Sequence, residues 1–191
     1  MVRPTPSRSP RKRTAMAIAF AWAMATSIVA PVNTQQRSCT FPGVKARCTA
    51  PMGDADIEWR EQNGSRPHQL FLRTGSSGKP VLIHEFGRSV DLLWSPDGRS
   101  LAITDHGAST DSNVWVVKLE APNRPANVES AFKRVFGRVP EIYGNGHRYF
   151  QATAWRSPLV LEFDIKAYDA VPNREYSGHF LYQLDGMVHR R

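Results

Sequence analysis

The sequence predicts an all-β fold: an antiparallel meander of eight or nine strands grouped in short units, with one short inserted helix. Beyond Pro51 the apolar residues recur mostly at period two, the spacing of a strand with one face turned inward. Clusters of Gly, Pro, Asn, Asp and Ser punctuate these runs at short intervals, as turns do. One stretch, residues 128–136, instead has apolar residues at helical spacing and capping residues at both ends. The composition agrees. With 191 residues, 41% hydrophobic and 22% charged, the chain is of ordinary globular make-up and neither collagenous, coiled-coil nor mostly disordered.

The first thirty residues read as an address. Residues 1–13 are polar and basic, residues 14–30 carry no charge, and the run ends in small residues. That is the layout of a secretory signal peptide, with cleavage expected after Ala25, Ser27 or Ala30. The uncharged run is rich in Ala, Ser and Thr and falls short of the roughly 20 strongly apolar residues of a spanning helix. An uncleaved N-terminal anchor is the alternative. The expectation is a periplasmic or secreted protein with no membrane span after cleavage. Five of the 25 basic residues lie in this segment, against no acidic one, so most of the formal charge of +8 belongs to it. No Lys/Arg block remains beyond it, which removes the electrostatic case for a nucleic-acid partner.

Residues 31–53 form the next expected segment, a loop containing the chain's two cysteines, Cys39 and Cys48. An isolated close pair in an exported protein reads as a local disulfide, worth roughly 2.5–3 kcal/mol by loop-closure arithmetic. Zinc would need further thiols or a nearby histidine, and neither stands at ligand spacing.

From residue 54 to 191 a single β-rich domain is expected. Ile57 and Trp59 alternate ahead of an Asn63-Gly64 turn. The run from His68 to Arg73 is expected to pair with that from Pro80 to Phe86 across a Gly75-Ser76-Ser77-Gly78 turn. Val90, Leu92 and Trp94 share one strand face. Ser95-Pro96-Asp97-Gly98 then makes a type I turn with glycine at its left-handed exit. The strand from Arg99 to Thr104 returns, and a polar loop over residues 105–113 leads to a strand in which Trp115, Val117 and Leu119 alternate. Asn127 caps the helix Val128–Phe136, with Val128, Phe132, Val135 and Phe136 on one side and Gly137 closing it. Nine residues are marginal alone, so the helix should lie against the sheet. Strands around Phe150, Leu161 and Phe180 follow. The recurring aromatics Trp59, Trp94, Trp115, Trp155, Phe71, Phe150 and Tyr182 are expected as core rather than as a sugar- or peptide-binding platform.

The run from Leu93 to Ile103 with its Trp94-Ser95-Pro96-Asp97-Gly98 turn, followed by Asn113-Val114-Trp115-Val116-Val117, resembles a blade of TolB-like β-propellers. The likeness is good over residues 90–119, and Trp155-Arg156-Ser157-Pro158 is a degenerate second copy. The resemblance implies blade-like sheets and a protein-binding or assembly role. It brings no chemistry, because the motif's residues build a turn. A ring of at least four four-stranded blades needs roughly sixteen strands, so the expected form is an incomplete propeller or a sandwich-like curl.

Candidate chemistry is sparse. The signatures of serine hydrolases, zincins, P-loops and dithiol redox sites are missing. No catalytic, cofactor-binding or metal residue is assigned, and no cofactor is expected. The most suggestive cluster is Asp105, His106 and Asp111 in the loop after the central hairpin, read as weak partner-binding candidates for a protein or peptide. Such loops usually hold their Asp and Asn in turn hydrogen bonds. Two functions remain: an exported non-catalytic protein-binding or assembly module, or a secreted hydrolase with a loop-borne site. Self-association through open sheet edges is a further expectation.

Overall fold

The computed structural model describes residues 36–43, 47–62, 65–75, 78–139, 146–168 and 175–191. The expected signal peptide, the Asn63-Gly64 turn and Ser76-Ser77 lie outside the described residues. The strands are β1 (Ser38–Phe41), β2 (Arg47–Thr49), β3 (Ala55–Gln62), β4 (Ser65–Thr74), β5 (Val81–Phe86), β6 (Val90–Trp94), β7 (Ser100–Asp105), β8 (Asp111–Lys118) and β9 (Ala126–Asn127). After the helix α1 (Val128–Phe136) come β10 (His147–Ser157), β11 (Val160–Tyr168), β12 (Glu175–Gln183) and β13 (Val188–Arg190). The fold is all-β with one short helix, as expected, but the strands outnumber the expected eight or nine. Several extra ones, including β1, β2, β9 and β13, are too short to show a period.

The strands form three blade-like meanders. β2-β3-β4-β5 is a four-stranded sheet, and β1-β6-β7-β8-β10-β11-β12-β13 runs in that order through the other, with β9 on the outer side of β8. The second sheet holds two blades, β6–β9 and β10–β13, joined where β10 pairs with β8 at Arg148↔Asp111 and Tyr149↔Ser112. That short pairing is parallel and interrupts an otherwise antiparallel arrangement.

The central blade is buried on both faces, and strand alternation explains how. Val90, Leu92, Trp94, Leu101, Ile103 and Val117 join one core cluster with Ile57, Leu70, Leu72 and Phe86 of the first sheet. Their neighbours Ala102, Val114 and Val116 join a second cluster with Phe132 of α1 and Phe150, Phe163 and Phe180 of the third blade. Period-two alternation thus sends successive residues to opposite cores, and β7 is buried almost end to end.

The turn at the end of β6 shows what its residues are for. The Ser95 hydroxyl donates to Asp97 (2.6 Å) and accepts from the Ser100 amide (2.9 Å), while Asp97 also accepts from the Arg99 amide. Gly98 has φ 68°, a left-handed value that a side chain would strain. Its α-hydrogen faces Ala50, whose Cβ would lie 3.4 Å from an added methyl.

A strap closes the inner edges. Cys39 and Cys48, expected in a loop, sit on β1 and β2 and are disulfide-bonded. β1 pairs with β6 from Ser38↔Leu93 to Phe41↔Val90. Just before it, the Gln36 amide donates to the Trp155 carbonyl and accepts the Trp155 N–H, imitating a strand partner for β10. Residues 36–41 therefore touch all three blades.

Helix α1 has the expected bounds. Asn127 accepts from the Ser130 amide and Gly137 closes the C-terminus in the left-handed region. Val128, Ala131 and Phe132 are buried, but Val135 and Phe136, expected on the inward side, are substantially exposed. Among the expected core aromatics, Trp94, Trp155, Phe150 and Tyr182 are buried, and Trp59 and Trp115 pack partly against the first cluster. Phe71 is the exception. Leu70 and Leu72 take the inward positions on β4, so Phe71 faces outward, opposite Glu58 and under the Arg60 guanidinium.

Candidate functional site

The sequence candidates gather at one rim of the blades, where β5, β7 and the parallel β8–β10 junction end or begin. The expected loop over residues 105–113 is shorter than its composition suggests: β7 continues through Asp105 and β8 begins at Asp111. Five residues, 106–110, make the connection, with Gly107, Ala108 and Ser109 exposed at its tip.

Each candidate side chain has its own partner. Asp105 lies on the face of β7 that carries Leu101 and Ile103, toward the first sheet. There its Oδ2 meets the Nε2 of His84, on β5, at 2.7 Å. Both side chains are largely buried, Asp105 16% and His84 10% exposed, and the imidazole lies against the Trp115 ring. His106 instead bonds Asp91 on β6, Nε2 to Oδ2 at 2.7 Å. The other oxygen of Asp91 accepts from the Thr40 hydroxyl of the strap. Asp111 faces Arg148 of β10 at 3.8 Å, and Arg148 makes its closer ion pair with Glu129 of α1. Glu129 also accepts from the Asn113 amide.

The loop is anchored from the third blade as well. The Tyr149 hydroxyl donates to the Ser109 carbonyl (2.7 Å), and the Arg148 amide donates to the Thr110 carbonyl (2.9 Å). The Tyr149 oxygen lies 2.6 Å from His147 Nδ1. Burial of Asp111 raises its pKa, and the nearby negative charges of Glu129 and Asp105 add to the effect against the opposing pull of Arg148.

The geometry decides what this rim can do. Asp105 with His84 is an acid–imidazole pair, but among the described residues no hydroxyl or thiol hydrogen-bonds either His84 or His106. A hydrolytic triad needs a nucleophile within that reach. The described residues also hold no cluster of three or more His, Cys, Asp or Glu arranged for a metal ion. Asp105, His106 and Asp111 are thus brought to one rim without converging on a common point. The sequence reading missed His84, Asp91, Glu129 and Arg148 as their partners. His179, on β12, bonds Asp164 of β11 in the same way, at 2.7 Å.

No protein-family model and no curated protein sequence matches the chain. Solved structures do. The β-propeller domain of the Trilobed protease from Pyrococcus furiosus, described as having an open velcro topology, aligns with a TM-score of 0.51 at 12% identity over 78% of this chain and 43% of its own. TolB from Acinetobacter baumannii aligns with a TM-score of 0.35 at 10% identity over 76% of this chain and 42% of its own. A putative TolB from Agrobacterium tumefaciens gives 0.28 at 14% identity over 76% and 63%. The last two are too loose to bear on the fold. The chain spans less than two thirds of each of these structures. The first alignment shows the fold and nothing finer: the chain is built like part of a β-propeller.

Proposed function

We propose that this chain is an exported, non-catalytic protein-binding module that meets its partner at the rim loop 106–110. One observation carries the reading. The loop's tip is exposed, while its flanks are fixed to the other two blades through Asp105–His84, Tyr149–Ser109 and Arg148–Thr110, and within their own blade through His106–Asp91. A loop held this way loses little conformational freedom when it binds, which favours recognition. Propeller-like scaffolds position such loops at their rims. His106 and Asp111 keep enough exposure to touch a partner. Asp105 does not, and acts by positioning the loop.

Export is supported by the Cys39–Cys48 bond, which suits an oxidising compartment, and by the basic then uncharged layout of residues 1–30. N-terminal sequencing of exported protein should find a start between residues 26 and 36, and intact Met1 in a membrane fraction would favour the anchor instead. For binding, Ala108→Lys with Ser109→Lys should abolish retention of a partner from envelope extract while the unfolding midpoint stays within about 1 °C. Unchanged retention would show that the loop is only a connector. Replacing Asp105, His106 and Asp111 together is the poorer test, because Asp105 joins two sheets and its loss alters stability as well.

A further inference from the structure

The outer end of α1 and the β12–β13 turn form a surface that the rim does not use. Val135, Phe136 and Met187 are 40%, 42% and 46% exposed there. Phe136 stacks on Phe132 and meets the edge of Phe180, and Phe180 pairs in register with Arg190. The Arg134 guanidinium lies beside Gly186, next to Met187. The helix end and the hairpin turn are therefore neighbours.

The same helix end and hairpin also carry cations. Lys133, Arg134 and Arg138 are exposed at or just beyond the end of α1, and Arg190 is exposed on β13. Among the described residues none of the four has a carboxylate within ion-pair distance. The acidic group at hand is Asp185, one oxygen of which accepts from the Met187 amide. The last-turn cations do suit the helix dipole, but that role does not account for Arg190 or for the three exposed apolar residues.

We propose that this surface rests on an anionic lipid bilayer. Val135, Phe136 and Met187 are exposed at a helix end and a hairpin turn and can enter the headgroup boundary, while the cations meet lipid phosphates. An acidic protein segment would satisfy the charges but would want a groove for its own side chains. Contact would be peripheral: no helix among the described residues is long and apolar enough to cross a membrane. The inference goes beyond the rim reading and is independent of it.

The test is hydrogen exchange of the full chain with and without vesicles of phosphatidylcholine containing phosphatidylglycerol. A local readout is needed because residues 1–30 could bind lipid on their own. Slower exchange over residues 133–138 and 186–190 with anionic vesicles, lost in pure phosphatidylcholine or at high salt, is the expected result. Lys133→Ala with Arg138→Ala should weaken this protection about 25-fold in lipid concentration, from roughly fivefold per cation. Val135→Ser with Met187→Ser should weaken it without changing the protection of β7. No protection at these segments, equal protection with neutral vesicles, or equal protection by polyglutamate without lipid would overturn the proposal.

Discussion

Removing the Asp105 carboxylate tests the coupling of the first and second blades. Asp105→Ala deletes a 2.7 Å bond to His84 between side chains that are both largely buried. Hydrogen bonds to charged groups are worth about 1.5–3 kcal/mol, and a buried partner left without an acceptor pays its desolvation in full. A loss of about 2 kcal/mol is expected. For a domain of this size that lowers Tm by roughly 4–8 °C. Asp105→Asn keeps the shape and one acceptor oxygen, so about half the loss should return. Urea unfolding of Asp105→Ala, His84→Phe and the double variant gives the coupling directly. The two side chains share one bond, so the cycle should show about 1–2 kcal/mol of non-additivity. Ser109→Ala, on the same rim but contributing only its carbonyl, should stay within about 0.5 kcal/mol of wild type. A loss below about 0.5 kcal/mol for Asp105→Ala, or an additive cycle, would refute the claim that this pair joins the sheets.

Three further outcomes follow from the same geometry. Gly98→Ala should cost about 1–2 kcal/mol by chemical denaturation, because its φ of 68° suits only glycine and Ala50 stands close. Leu70→Ala should cost about 2–5 kcal/mol and Phe71→Ala about 1 kcal/mol or less, since the first is wholly buried and the second lies on the outer face; equal losses would overturn the assigned alternation. Burial raises the pKa of Asp111, so its contribution to stability is present below the unfolded pKa and is lost as pH rises through the folded one. Asp111→Asn should therefore match or exceed wild-type stability near pH 7, and a pH series of unfolding midpoints would show its advantage vanish in acid.

What was legible in the sequence depended on how local the signal was. The helix could be read to the residue because Asn127 and Gly137 mark its ends by side-chain and backbone chemistry alone. The central blade was legible because its strands alternate and its turn residues each make a bond within the turn. The disulfide was legible from an isolated, closely spaced pair of cysteines. β1 and β2 were not, since four and three residues carry no visible period. Phe71 misled because an aromatic on a strand suggests burial, while its two leucine neighbours had already taken the inward face. The rim site was half legible. Its polar loop stood out, but the partners of Asp105 and His106 lie 21 and 15 residues away on other strands. No spacing motif records the Asp105–His84 contact between two sheets, and nothing local announces the parallel β8–β10 junction that brings Arg148 to Asp111.

The claim that the rim loop is the contact surface is tested most directly by site-specific photo-cross-linking in envelope extract, with the cross-linker placed in turn at Ser109, Arg99 and Arg60. These positions sample the proposed rim, the opposite rim and the outer face of the first sheet. A single protein species captured from Ser109, and from neither of the others, is the expected result. Capture of the same species from Arg99 or Arg60 but not from Ser109 would contradict it.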